Sequence, residues 1–431
     1  MPGYLHTMIG RGSSGKWRLL VGLLWVCFVS GGPAFSGELP APPANLWTTT
    51  GERIVGQWVE STPTQVTWRA GEQVRTIAAP TIWQVALPST IARPARPQFW
   101  LHLTNGDRWG VSSLKLADEK LEFQLALDSQ LRSLGIEFVA GIQPLRPGTS
   151  WKTDESEWGQ VANRRAKTDL AVLRNGDHQT GEVSEISETA FQLSGSQGKQ
   201  ALEWSAVTGL VMNPDLAEKS PPPTTGWTVL LADESSITAT DLIRTADGQW
   251  TLTAINGVGI TTAPGNVRWA THWGESAVAL SRIPVAKQTH LPLLGDAIEV
   301  TLDRNVRGLP LRSAAEFGAG SQEGNPLPTL SPTGIGLSSG MTVQWKLEGA
   351  YRRLQCGLGL DATACAEGHA VVTIKVDDRL QKQFTLRAGE PIQLETSIDL
   401  TGAQSLSIET DFGEHGDACD WINLYTPILV R

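Results

Sequence analysis

Clustered positive charge is missing from this 431-residue chain. Its 35 Lys and Arg are outnumbered by 44 Asp and Glu, for a formal net charge of -9, and they form no basic block. Phosphate backbones are held by clustered cations, so nucleic acid is not an expected partner. Catalytic signatures are missing as well. No GxSxG, HExxH or Gly-rich phosphate loop stands out. A glycosidase wants two carboxylates flanking one bond, generally in a cleft on a domain of its own. Asp and Glu are plentiful, but no stretch resembles a hydrolase domain, so the chain reads as non-catalytic.

Long apolar runs are scarce too. The one that stands out, Leu19 to Val29, is short for a bilayer span. Arg11, Lys16 and Arg18 precede it, and Ala34-Phe35-Ser36 follows as a small-x-small site. That is the layout of a secretory signal over residues 1–36, with the mature chain starting near Gly37. Cys27 stands behind Trp25-Val26, bulky where a lipoprotein site needs small residues, which favours export over lipid anchoring. An uncleaved anchor is the alternative. The expected location is periplasmic, cell-surface or extracellular, with no membrane span after cleavage. Cysteine is sparse, at four in all. Removing the signal leaves Cys356, Cys365 and Cys419, and an odd count in an exported protein implies one bridge and one free thiol, or an intermolecular link.

What the chain does have is turn formers and tryptophan. Gly 44 and Pro 25 favour many turns, and 17 Trp stand against 3 Tyr and 9 Phe. Tryptophan can plug a β-sandwich core or stack on a sugar ring. At 40% hydrophobic and 18% charged the composition is globular, and the length suggests two to four domains.

From about Ala44 to Trp273 the chain repeats itself loosely. Thr49-Thr50-Gly51-Glu52, Leu103-Thr104-Asn105-Gly106-Asp107 and Leu173-Arg174-Asn175-Gly176-Asp177 each lead into a second strand. Asn-Gly-Asp is a strong hairpin signal, because Asn and Gly tolerate positive φ. Alternating segments follow, such as Gln65–Trp68, Leu121–Leu125 and Ala190–Leu193. Each unit closes on an apolar strand: Ile82–Val85, Ile136–Val139 or Val207–Val211. A weaker fourth copy runs from Val229 to Trp273. Period-2 alternation buries one face of each strand, so units this short must close into small SH3-like or Sm-like barrels or join in a meander. Polar or Pro-rich breaks fall at Pro88–Pro97, Pro144–Asp169 and Asn213–Thr225, the last holding Pro221-Pro222-Pro223 as a spacer. Ser129–Leu134 and Glu155–Lys167 are compatible with a turn or two of helix. The expected division is 1–36 signal, 37–145 repeats 1 and 2, 169–281 repeats 3 and 4, and 290–431 a separate module. The main boundary falls at about Arg282–Pro292, and Leu291–Val306 reads as opening strands.

The C-terminal module carries a recognisable order. Gly334-Ile335-Gly336-Leu337 opens it, and Thr342–Leu347 follows as an alternating strand. Tyr351 leads a strand ending Gly359-Leu360-Asp361, and Val371–Asp378 ends in Val-Asp-Asp. Ile398-Asp399-Leu400-Thr401-Gly402-Ala403 precedes an acidic loop closing on Asp420-Trp421. This order resembles the NPCBM family of carbohydrate-binding modules and spans about a third of the chain. The resemblance implies a jelly-roll β-sandwich with ligand loops at one rim. The chain is therefore expected to be all-β, with repeated small β-barrel or meander units followed by a jelly-roll-like β-sandwich.

The residues of that rim can be weighed on their chemistry. If the loops meet, Asp361, Asp417 and Asp420 with backbone carbonyls would make an oxygen-rich Ca²⁺ site. The plainer alternative is that Asp361 and Asp420 cap turns. Trp421 either offers a ring face to a sugar or seals the core where the last strand begins. Glu414 and His415 could hydrogen-bond sugar hydroxyls, or simply be solvated. Because the resemblance places their loops together, a Cys365–Cys419 bridge is expected, with Cys356–Cys365 as the competing pair. Closing a loop of that length is worth about 4 kcal/mol of chain entropy. The expected ligand is a glycan or polysaccharide. The competing reading is a structural or protein-docking component of the cell envelope, with proteins as partners and no sugar bound.

Overall fold

The computed structural model describes residues 43–88, 96–149, 151–162, 167–196, 198–218, 224–313, 330–390 and 393–431. The expected signal over residues 1–36 and the triple-proline spacer lie outside the described residues.

Four five-stranded units run in tandem. The first is Ala44–Thr48, Arg53–Ser61, Gln65–Ala70, Gln73–Ala78 and Ile82–Ala86. The second is Phe99–Leu103, Arg108–Ala117, Lys120–Leu125, Leu131–Gly135 and Val139–Pro144. The third is Asp169–Leu173, His178–Ile186, Ala190–Gly195, Gly198–Glu203 and Val207–Val211. The fourth is Gly226–Leu231, Ser236–Arg244, Trp250–Ala254, Gly259–Thr262 and Val267–Trp273. In every unit the four leading strands form a meander, a 3₁₀ turn follows, and the fifth strand returns to pair with the first. The long second strand carries a register shift in each copy, near Trp58, Val111, Val183 and Ala239. An extra residue there bends the strand, so its two halves serve two layers. The fourth strand does not pair with the fifth among the described residues. The units are bent meanders rather than closed barrels, which decides between the two sequence expectations.

The last strands also tie the units together. Val85 of the first opposes Ala270 of the fourth, and Ile142 of the second opposes Leu210 of the third. These are matching positions, each opposite the middle of its own first strand. One apolar core runs through all four units, and tryptophan fills much of it. Trp58 meets Trp250 edge-on at 5.0 Å and Trp227 at 5.8 Å, joining the first and fourth units. Gly56 has to lack a side chain, because a Cβ there would lie 2.2 Å from the Arg69 carbonyl oxygen and 2.5 Å from the Trp68 indole nitrogen.

Of the two stretches compatible in sequence with a helical turn, one is helical and one is not. The polar stretch between the second and third units holds the helix Trp151–Ala162, which starts ahead of the Glu155–Lys167 segment and is longer than a turn or two. Trp158 and Val161 bury one face of that helix against Leu170 and Val172, and Trp158 stacks on His102 at 3.8 Å. Leu131–Gly135, compatible in sequence with a helical turn, is instead a strand paired with Lys120–Leu125. Local sequence allowed either state, and cross-strand packing decided it.

The C-terminal module is a two-layer sandwich. One sheet runs Thr301–Leu302, Gly334–Ser338, Trp421–Val430, Arg353–Leu360, Gln393–Asp399, with Ala277–Ala279 also on Trp421–Val430. The other runs Val285–His290, Met341–Lys346, Ser405–Phe412, His369–Val376, Arg379–Arg387. Ile335, Leu354, Leu358, Ile422 and Leu424 face Val343, Trp345, Val372, Ile374 and Ile408 in a mostly aliphatic core. The sandwich takes in Ala277–Ala279 and Val285–His290, ahead of residue 290 where the sequence placed its start. The expected opening strands over Leu291–Val306 shrink to Thr301–Leu302. Leu291, Leu293 and Leu294 are exposed there rather than buried in a sheet.

The sandwich is fastened to the repeats by an apolar cluster and a buried ion cluster, within one compact unit from Pro42 to Arg431. Trp47, Trp83 and Trp269 pack on Leu311, Tyr425 and Ile428. Beside them Arg312 is clamped by Glu155 of the helix, at 2.7 to 3.1 Å, and by Glu234 of the fourth repeat, at 2.6 and 2.9 Å. Burial works against ionising Glu234, but Arg312 prevails and holds its carboxyl below the usual range. Next to it, burial pushes the Asp233 carboxyl up to about 6, against the pull of the Ser235 N–H.

Candidate functional site

Two loops of the sandwich meet at one rim: the segment after Leu360 and the segment before Trp421. The Asp361 N–H donates to the Trp421 carbonyl at 2.8 Å. The Cys365–Cys419 disulfide joins them, with Cα atoms 5.6 Å apart. This is the bridge the resemblance implied, and Cys356 stays free and buried, its thiol pushed up to about 12 by burial. Cys419 sits at φ +58°, in the left-handed region that non-glycine residues adopt infrequently.

Asp361 is 1% exposed and its oxygens are committed. Oδ2 accepts from the Asn423 and Asn305 side-chain amides at 2.8 and 3.1 Å, and Oδ1 accepts from the Thr363 N–H at 2.9 Å and from its hydroxyl. Asn423 also donates to Tyr425, whose hydroxyl lies 2.8 Å from the Arg312 carbonyl. Burial, then the Asp361 charge, raises the Tyr425 phenol well above its ordinary value, so it stays a neutral donor. Asp361 therefore links the rim to the arm that carries Arg312.

Asp420 is also 1% exposed. Its Oδ1 accepts the His369 backbone N–H at 2.8 Å, while Oδ2 has no hydrogen-bond partner and burial raises the carboxyl's pKa. His369 in turn accepts the Glu414 N–H on Nδ1 at 2.7 Å, so one buried imidazole positions the outer loop. A neutral ring is required for that, because a protonated Nδ1 cannot accept. Asp417, half-buried, accepts the Leu294 N–H at 2.9 Å.

These partners bear on the expected Ca²⁺ set. Asp361 faces four N–H and O–H donors, which point their hydrogens where a cation would have to sit. Among the described residues no group of three or more His, Cys, Asp or Glu is placed to hold a metal ion. All three carboxylates accept backbone N–H groups: Asp361 caps its own turn at Thr363, while Asp417 and Asp420 hold Leu294 and His369, far along the chain.

The outward-facing residues are Glu414, His415 and part of Trp421. Glu414 and His415 are exposed, and Glu414 pairs with Arg387 at 2.8 Å, which holds its carboxyl below the ordinary value. Trp421 is half-buried, and the Arg307 guanidinium lies 4.7 Å from its ring centre. Exposed Leu293 and Leu294 border the same loop through Asp417 and Gly416. Sequence reasoning missed Arg307, His369 and Arg387. Each lies far along the chain from the loop it serves, and no spacing marked it.

The comparisons with known proteins fall on this module. Residues 278–429 match the family model of the NPCBM/NEW2 domain. No curated protein matches the chain. Among solved structures, the CBM51-2 and INT domains of Clostridium perfringens ZmpB are 16% identical, with a TM-score of 0.31, over 42% of this chain and 36% of that one. The CBM51 of Clostridium perfringens GH95, in complex with methyl-galactose, is 14% identical with a TM-score of 0.30, over 36% of this chain and all of that one. The chain thus spans about a third of the first of these structures. The NPCBM/NEW2 match covers the sandwich and leaves the four repeats outside it.

Proposed function

We propose that this is an exported, non-catalytic carbohydrate-binding protein, with the sugar held by the rim loops of the C-terminal sandwich. The observation that carries the reading is the NPCBM/NEW2 match over 278–429. The stapled rim supports it, since Glu414, His415, Asp417 and Trp421 all lie on one disulfide-closed loop or at its end. A sugar would lie against the free part of the Trp421 ring while carboxylate and imidazole groups bond its hydroxyls. No titrating catalyst is needed for that. A preformed loop also spares the ligand much of the ordering cost of binding. The chain's first residues, with their basic, apolar and small-residue order, support export.

The test is a broad glycan array and polysaccharide retention with the mature chain. Trp421→Ala and the double change Glu414→Ala, His415→Ala should each weaken the binding found by tenfold or more. Retention of no glycan by the intact protein, or binding untouched by both variants, overturns the reading. A second reading has a specific observation behind it: Arg307 covers Trp421 and Arg387 occupies Glu414, so two of the rim's outward-facing groups are already partnered. On that reading the rim docks an envelope protein. A partner recovered from envelope extracts, and kept in excess free sugar, would favour it.

A further inference from the structure

The second and fourth repeats dock through their first hairpins in a way that has a free counterpart. The turns superpose by their hydrogen bonds: the N–H of Leu103, Leu173 and Leu231 donates four residues on, to Asp107, Asp177 and Ser235. Asp107, Asp177 and Ser235 are thus equivalent, and so are Gly110, Thr180 and Thr238 three residues later. Across the junction Asp107 accepts the Thr238 N–H at 2.8 Å and the Thr238 hydroxyl at 2.7 Å. The reciprocal contact is the Gly110 N–H donating to the Ser235 hydroxyl at 2.8 Å. Arg108 and Ser236 oppose each other between the two contacts, which marks a local two-fold axis.

The third repeat carries both halves of the stronger contact on one hairpin. Asp177 stands where the second repeat has its acceptor, and Thr180 stands where the fourth has its double donor. Both are exposed, and Asp177 bonds only within its own turn, to Asn175. His178 to Gly181 pair with the first strand on one side, and pairing with the third strand begins only at Glu182. No strand pairs with their other edge among the described residues, although Gly195 approaches the Thr180 carbonyl there. Beside it lies a groove of about 480 Å³ flanked by Leu193 and Gln200. The Gln179 side-chain oxygen is buried at this edge with no hydrogen-bond partner. The equivalent hairpin of the first repeat is not self-complementary, having Glu52 for the aspartate and Val55 for the threonine.

We propose that the third repeat's hairpin is a self-association surface, through which two copies of this chain pair about a two-fold axis at His178. Each Asp177 would accept the N–H and hydroxyl of the other copy's Thr180, repeating the Asp107–Thr238 contact twice. A surface bearing both acceptor and donor at two-fold positions closes as a dimer, and an unpaired strand edge supplies the template.

Sedimentation equilibrium on the full chain tests this, with Asp177→Lys and Thr180→Val as breaking variants and Thr180→Ser as the hydroxyl-keeping one. A dimer is expected whose dissociation constant rises at least tenfold in the first two and stays within threefold in the third. His178→Cys should give a disulfide-linked dimer on mild oxidation, because residues facing across a two-fold strand pair lie within bridging distance. Arg53→Cys, at the matching place in the first repeat, should not. A monomer at every concentration together with no crosslink overturns the proposal. So does association indifferent to Asp177→Lys and Thr180→Val, or a mass that grows without limit, which would mean head-to-tail contact.

Discussion

The repeats and the sandwich solve the same problem, a small β-core, with different side chains. Of the largest fully buried residues, Trp58, Trp68, Trp109, Trp227, Trp250 and Trp269 belong to the repeats, while Trp345 stands among aliphatics in the sandwich. A five-stranded meander encloses little volume, so each inward position has to bury much area, and indole buries most. The sandwich has two sheets to fill from both sides, and it adds a disulfide where loops rather than strands must be held. The sequence left the tryptophan excess open between core filling and sugar stacking. The difference between the two regions favours core filling: twelve tryptophans are buried among the described residues, and Trp421 is half-buried at the rim.

The largest effect expected follows from that contrast. Trp58→Ala should cost about 3–5 kcal/mol in denaturant unfolding, the range for deleting a fully buried aromatic. Because Trp58 packs on Trp227 and Trp250, hydrogen exchange should speed up in the first and fourth repeats together. Loosening of the first repeat alone would break the idea of a shared core. The matching change in the sandwich is loss of its staple. Cys365→Ala with Cys419→Ala should cost about 4 kcal/mol less any strain, by loop entropy. Exchange should rise in the 361–369 and 413–421 loops while the repeats stay protected.

Much of this division was legible in the chain and some was not. Asn105-Gly106-Asp107 and Asn175-Gly176-Asp177 announced their hairpins, because positive φ at Gly106 and Gly176 is a local demand met by local residues. Alternation located the strands for the same reason. The family order of the module brought the Cys365–Cys419 pairing with it. What stayed hidden depends on partners distant along the chain. Nothing near Val85 names Ala270 as its neighbour, and nothing near Arg312 names Glu155 and Glu234. The helix Trp151–Ala162 showed only as a possible turn or two over Glu155–Lys167, because its buried Trp158 and Val161 find their purpose only against the third repeat. At the rim, the sequence could not name the N–H partners of Asp417 and Asp420, because Leu294 and His369 lie far along the chain.

The ion cluster between the two regions gives a smaller, pH-dependent handle. Asp233 has a folded pKa raised to about 6 from 3.8. Its folded state holds the proton more tightly than the unfolded chain, so ionisation at neutral pH opposes folding, and that cost fades as pH falls from above 6 towards 4. The shift corresponds to about 3 kcal/mol at most. Asp233→Asn keeps an oxygen for the Ser235 N–H and removes the charge. It should be more stable than the parent at pH 7.5, by up to about 3 kcal/mol, with the difference vanishing near pH 4. A difference independent of pH would show that the carboxyl is not held in this state, and the junction between repeats and sandwich would need another account.

The smallest expected effect bears on the rim. Were Ca²⁺ the fastener of the loops, a chelator would act like removal of the disulfide, and a bound ion at a hundred times its dissociation constant would contribute about 2.7 kcal/mol. The donors around Asp361 argue against that: two amides, a backbone N–H and a hydroxyl already satisfy both of its oxygens. Replacing those donors with a cation would strand buried N–H groups, each costing about 1–3 kcal/mol. Melting temperatures in excess EDTA and in millimolar Ca²⁺ should therefore agree within about 1 °C. The Asn423→Leu variant, which strips Asp361 of its 2.8 Å donor, should lower the midpoint in both solutions alike. A rise with Ca²⁺ in the parent would point to Asp420 Oδ2, a buried rim carboxylate oxygen with no hydrogen-bond partner among the described residues, as a ligand.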